Sequence, residues 1–127
     1  PVLEKYPTLR IYMQHAGADV FPESGEPNYE AETFALMRDY PQIYADMSIT
    51  NSIYDEEAHR TALQRFIAAG FADRIMFGTD NLPAAPIIAR LNSFEFLTDE
   101  QRSGILYDNA ARFLQLDEAT IAAHHRL

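Results

Sequence analysis

His15, Asp46 and Asp80 are the side chains of this 127-residue sequence whose types and places best suit chemistry, because each falls at or near the end of a short apolar run. His15 follows LRIYMQ and precedes Ala16-Gly17, Asp46 lies within IYADMS, and Asp80 follows RIMFGT. An imidazole at a strand mouth can bind a metal or move a proton near neutral pH. Its alternative is a ring whose nitrogens are satisfied by loop carbonyls. A carboxylate directly after an apolar strand is costly to desolvate unless it meets a cation or several donors. Asp80 therefore suits a metal ligand, or a general base acting on metal-activated water. Its alternative is a cap on the following turn through the backbone of Asn81 and Leu82. For Asp46, with Ser48, the favoured reading is structural, as acceptor and donor for the loop backbone.

Other polar residues carry less. Arg74 precedes the third apolar run and can pair with an acid at the far end of a sheet, a place that serves stability. His59 falls one turn before Ala62 and Leu63 and reads as a packing or solvated residue. His124 and His125 are adjacent, so on a helix they point in different directions and make a poor metal pair. The sequence contains no Gly-rich phosphate loop, GxSxG elbow or HExxH pair, which argues against P-loop, α/β-hydrolase and zincin chemistry.

The elements that must position these residues follow from periodicity and punctuation. Leu9 to Gln14, Ile43 to Ser48 and Arg74 to Thr79 read as buried strands. Asn28 can cap a helix through YEAETFALMRDY, with Glu30 and Glu32 near its positive end and Pro41 as its stop. Asp55, Glu56 and Glu57 open a second helix with Ala62, Leu63, Phe66 and Ile67 at helical spacing, and Gly70 suits its left-handed cap. Ala84 to Leu91 reads as a short helix. Thr98 and Gln101 have the spacing of a capping box. The helix after it places Leu106, Ala110, Phe113 and Leu114 in a stripe predicted to dock on the body of the protein. Asp117 can cap a last helix ending near His124.

Strand and helix thus alternate, which predicts a parallel sheet with helical crossovers. The steps from His15 to Asp46 and from Asp46 to Asp80 each have the length of one βα unit, roughly 30 residues. All three residues then fall near strand C-termini, the end where parallel α/β proteins carry their chemistry. Three strands leave open edges, and a closed barrel needs eight strands and roughly 250 residues. The expectation is a half-barrel completed by something else. Pro1 opens the sequence without an initiator methionine, in keeping with a missing N-terminal portion or a restarted numbering.

Composition narrows the partners. Hydrophobic residues make up 47%, which with 12% aromatics supports a folded core rather than disorder. A net charge of -9 repels phosphate backbones and anionic lipid, so neither nucleic acid nor membrane is an expected partner. No apolar run approaches the roughly 20 residues of a membrane span, and no signal peptide is legible, so the expected compartment is cytoplasmic. With no cysteine, any metal must be held by His, Asp or Glu.

These segments together resemble the amidohydrolase-related family that includes aminocarboxymuconate semialdehyde decarboxylase. YPTLRIYMQHAG is similar to that family's strand ending in His-Ala-Gly or His-Gly-Gly, and YPQIYADMS to the strand after it. FADRIMFGTDNLP resembles its final barrel strand with a Gly-(Ser/Thr)-Asp-x-Pro-like ending, where Leu82 here is one extra residue before Pro83. ILYDNAARFLQL resembles its closing helix. The resemblance implies that residues 1–127 are the C-terminal portion, strands 6 to 8 with their helices, of a TIM (β/α)8 barrel whose N-terminal half is absent. It makes His15 the sixth-strand histidine, acting on substrate or activated water or helping to bind metal. It makes Asp80 the final-strand aspartate, a metal ligand and proton acceptor. Asn109 and Ala110 take a structural role.

The implied cofactor is a divalent metal, zinc by expectation. The family's His-x-His pair and its fifth-strand histidine have no counterpart in this sequence. A catalytic zinc usually needs three protein ligands, so this chain by itself is expected to bind metal poorly and to be inactive. The expected reaction of the complete protein is hydrolysis of a small-molecule amide, ester or lactone through metal-activated water, or a related nonoxidative decarboxylation. The alternative is a noncatalytic half-barrel that self-associates or serves as a scaffold or binding module, with a homo-oligomer or the missing half-barrel covering its edges. A flavodoxin-like ligand-binding domain is a third possibility, without a Gly-rich loop to support it.

Overall fold

A computed structural model describes residues 2–17 and 29–126. Three short strands, β1 (Ile11–Met13), β2 (Ile43–Asp46) and β3 (Ile75–Met76), form one parallel sheet in the order β1-β2-β3. Ile11 faces Ile43 and Met13 faces Ala45 across the first pair, and Asp46 faces Met76 across the second. This is the α/β architecture that the alternation of elements predicts.

The helices, in chain order, are α1 (Val2–Lys5), α2 (Glu30–Asp39), α3 (Thr50–Ile53), α4 (Glu56–Ala68), α5 (Ala84–Ser93), α6 (Asp99–Ser103), α7 (Asn109–Leu114) and α8 (Glu118–His124). α2 joins β1 to β2, and α3 with α4 joins β2 to β3. The predicted cap of α2, Asn28, lies outside the described residues; the N-cap position is taken by Tyr29, which makes no side-chain cap. α3 was not expected from the sequence, being a single turn between the β2 end and the Asp55 cap. Among the described residues no helix is long and apolar enough to cross a membrane.

α4 follows its sequence signals closely. Asp55 accepts from the Ala58 N–H at 2.7 Å, which satisfies one of the free donors of the first turn. At the other end Gly70, with φ of 85°, donates to Ile67 O while Phe71 donates to Phe66 O, the paired bonds of a Schellman motif. Leu63 and Phe66 are fully covered, and they pack with Met37, Ala45, Ile75, Leu91 and Phe94 into the core. Alternation along the strands sends Ile11, Met13, Ile43, Ala45 and Ile75 to that face and Tyr12, Tyr44, Asp46 and Met76 to the other. On the second face Phe113 packs edge-on against Tyr44 and Tyr12, with centroids 5.2 and 6.0 Å away.

All three strands are shorter than predicted. β3 stops at Met76 because the next N–H, of Phe77, donates to Ile105 O at 2.8 Å and leaves the sheet. Arg74 belongs to a 3-10 turn, Ala72–Arg74, ahead of the strand. β1 ends where Gln14 enters a left-handed turn. Arg74 has carbonyls for its main partners: Nη1 donates to Met37 O at 2.6 Å and to Tyr40 O at 3.3 Å, at the negative end of α2. Arg102 treats α5 alike, donating to Leu91 O at 2.7 Å.

The capping box of α6 is formed, with Gln101 N–H to Thr98 Oγ1 and Thr98 N–H to Gln101 Oε1, both 3.1 Å. The docking stripe predicted beyond it needs correction. A wide π turn, Gly104–Asp108, separates α6 from α7, and its extra residue rotates everything downstream. Gly104, Ile105, Asn109 and Ala111 are the buried positions; of the predicted stripe, Leu106 packs against the core and Phe113 against the sheet, while Leu114 is 61% exposed.

Candidate active site

The C-terminal ends of the three strands come together in one hydrogen-bonded cluster with Asp46 at its centre. Asp46 is buried on the second face of the sheet, and its Oδ1 accepts from three donors: the His15 N–H at 2.9 Å, the Ser48 N–H at 3.0 Å and the Ser48 hydroxyl at 2.6 Å. The His15 ring returns to the same loop, with Nδ1 3.0 Å from both Ser48 O and Ser48 Oγ. Asp46 and Ser48 thus take the loop-bonding role favoured from the sequence. Gly78, at the end of the third strand, allows this arrangement: a Cβ there would lie 2.9 Å from Ser48 Cβ and 3.0 Å from Asp46 Oδ2.

Backbone strain concentrates at the same edge. His15, Ala16, Ile49, Asp80 and Asn81 all have positive φ, between 48° and 69°, and they follow the three strands in turn. Each such residue costs about 1–3 kcal/mol, and a β-branched one such as Ile49 is especially disfavoured. The helix beside it is tied in. Asn51 Nδ2 donates to Gly78 O at 2.9 Å, and Arg90 Nη1 donates to Asn51 O at 2.8 Å.

Asp80 projects from the end of β3 and is exposed. The turn behind it closes through Leu82 N–H to Thr79 O, so the carboxylate is not the acceptor that forms it. It borders an open groove of about 320 Å³ shared with Tyr12, Gln14, Asp46, Ser48 and Phe113. The Tyr12 hydroxyl titrates above the ordinary phenol range. Loss of water around it is the main cause, followed by the charge and hydrogen bond of Asp46 and the charge of Asp80. Both carboxylates therefore bear on one groove. His15 does not line it, and no hydrogen bond joins His15 to Asp80 among the described residues; Asp46 and Ser48 bond His15 and line the groove that Asp80 also borders.

Tyr12 and Gln14 were not singled out from the sequence. The signal was available in the period-two alternation of LRIYMQ, which puts both on the Asp46 face. The lesser candidates are settled by packing. His59 is buried, edge-on to the Phe94 ring at 5.3 Å, and its pKa falls to about 4 through loss of water and then the nearby charge of Arg90. His124 accepts or donates at 2.8 Å with the Tyr107 hydroxyl, holding α8 to the π turn.

As metal donors, His15 and Asp80 are of suitable type, a nitrogen and an oxygen. Among the described residues no group of three or more His, Asp or Glu is placed to hold an ion, so these two can form only part of a coordination set.

The sequence profile described as amidohydrolase matches residues 1–116. This chain belongs to the amidohydrolase family. A search of curated protein sequences found no match. Among solved structures, the chain is similar to an amidohydrolase from Burkholderia multivorans, at 17% identity and a TM-score of 0.67 over 90% of this chain and 47% of that one. It is also similar to a putative 2-pyrone-4,6-dicarboxylic acid hydrolase from Pseudomonas putida, at 18% identity and a TM-score of 0.66 over 90% and 46%. A 2,6-dihydroxybenzoate decarboxylase matches at 20% identity and a TM-score of 0.64 over 91% and 37%. The chain spans less than half the length of these structures, and at such identities what they share with it is the fold.

Proposed function

We propose that this chain supplies strands 6 to 8 of an amidohydrolase barrel, and with them His15 and Asp80 of its active site. The observation that carries this reading is Asp80, a carboxylate without a hydrogen-bond partner among the described residues, held at positive φ on the C-terminal edge of a parallel sheet and bordering a groove. A carboxylate kept for stability would meet donors of its own fold. The remaining ligands of a divalent metal, zinc by preference, come from strands outside the described residues. When bound, such an ion polarises a substrate carbonyl and the attacking water.

Asp80 is then a ligand and the acceptor of the proton that water gives up on attack. His15, held from the Asp46 side, delivers or receives a proton at the leaving group. The substrate is a small molecule and the reaction hydrolysis of an amide, ester or lactone. Nonoxidative decarboxylation is the second reading, favoured by the likeness to the 2,6-dihydroxybenzoate decarboxylase.

The test is Asp80→Asn in the natural full-length protein, assayed against panels of lactones, esters, amides and aryl carboxylates, with metal content measured in parallel. The expected loss in kcat/KM is about 10²–10⁴-fold, the usual worth of a positioned acid or base, with bound metal reduced and the melting temperature unchanged. Activity within a few-fold of the unmodified protein would overturn the role of Asp80. Absence of both metal and turnover in the unmodified protein would favour a noncatalytic scaffold.

A further inference from the structure

The few hydrogen atoms around the His15 ring decide which of its nitrogens is available to chemistry. Ser48 Oγ carries a single hydrogen. At 2.6 Å from Asp46 Oδ1, a carboxylate oxygen that can only accept, the hydroxyl spends that hydrogen on Asp46. Toward the ring, Ser48 Oγ is left with lone pairs. Ser48 O, a carbonyl, also only accepts. Both partners of His15 Nδ1, each at 3.0 Å, therefore require a hydrogen on Nδ1. In the neutral ring the lone pair is then on Nε2.

We infer that Asp46 and Ser48 are positioning residues that hold the His15 imidazole in the tautomer with hydrogen on Nδ1 and the lone pair on Nε2. Asp46 does this twice over. Its Oδ1 also accepts the His15 N–H at 2.9 Å, which helps to hold the left-handed backbone (φ 60°) that brings the ring onto Ser48. Without the carboxylate, the Ser48 hydroxyl is free to turn and donate to Nδ1, which shifts the balance toward the opposite tautomer against the pull of the Ser48 carbonyl. The partner of one ring nitrogen sets the chemistry of the other. An Nε2 lone pair can take a proton or a metal; an Nε2 hydrogen can do neither. That chemical consequence rests on the proposed role of His15, whereas the tautomer itself does not.

Nitrogen-15 NMR of the histidine rings in the natural full-length protein separates the two. The His15 signals are assigned by their loss in His15→Gln and read at a pH where the ring is neutral. The unmodified protein is expected to show a pyrrole-type Nδ1 and a pyridine-type Nε2. Asp46→Ala should move His15 toward the other tautomer, and adding Ser48→Ala should restore the first, since only the backbone carbonyl then faces Nδ1. Ser48→Ala alone should leave the tautomer as it was. A hydrogen on Nε2 in the unmodified protein overturns the inference even if Asp46→Ala fails to fold, and so does a double variant that does not revert. Because the spectrum requires no turnover, an inactive protein with the expected spectrum would count against the proposed reaction and leave the positioning role standing.

Discussion

Gly17 shows how tightly the His15 turn is specified by single residues. Its φ of 70° disfavours any side chain, and a Cβ there would run into the Thr33 hydroxyl of α2, which is itself fully buried. Gly17→Ala is therefore expected to lower stability by about 1–3 kcal/mol, measured by urea denaturation, and to disturb the His15 ring two residues away. Asp80 differs in kind: exposed and without donors among the described residues, it can be changed to Asn at little cost to folding. The places of His15 and Asp80 beyond the ends of β1 and β3 were legible in the sequence because both residues follow apolar runs. Tyr12 was passed over because a tyrosine inside such a run reads as core, and only the groove on its face shows otherwise.

At the scale of elements, the π turn and α7 fasten the third strand. Asn109 is buried and donates from Nδ2 to Ala72 O at 2.9 Å and to Ile75 O at 2.7 Å, which anchors the start of β3 to the helix. Ile105 O takes the Phe77 N–H on the far side of the strand. Replacing Asn109 by Ala strands two buried carbonyls and opens space beside Gly104, so a loss of about 2–4 kcal/mol is expected from chemical denaturation. The structural role assigned to Asn109 from the sequence accords with this geometry. Of the docking stripe predicted as Leu106, Ala110, Phe113 and Leu114, Leu106 packs on the core and Phe113 on the sheet, whereas Leu114 is exposed because the π turn breaks the 3.6-residue period. Caps, by contrast, were readable at Asp55, Thr98 and Asp117, where a side chain bonds a neighbour three residues on.

For the whole molecule, the most informative titration is that of His59, a buried residue of α4 set against the Phe94 ring near Arg90 of α5. Its folded pKa of about 4 lies below the ordinary 6.5, so the unfolded chain binds the proton more readily. The stability this represents is fully present above pH 6.5 and is lost as pH falls from there through 4, by about 3 kcal/mol in all. Denaturant midpoints measured across that window should fall steeply, and His59→Leu should flatten the fall. A dependence equally steep in the variant would assign it to other groups.

The sequence by itself determined the class of the fold, its three parallel strands and the edge on which polar residues gather. Those features depend on local period and on the βα repeat, which a linear chain displays. Tertiary structure alone decided that Asp46 also binds the His15 backbone, that β3 leaves the sheet after two residues to meet Ile105, and that Asn109 and Ala111 of α7 are buried while Leu114 is exposed. Each depends on partners about thirty residues or more apart, or on one extra residue in a helical turn, and neither leaves a local period to read.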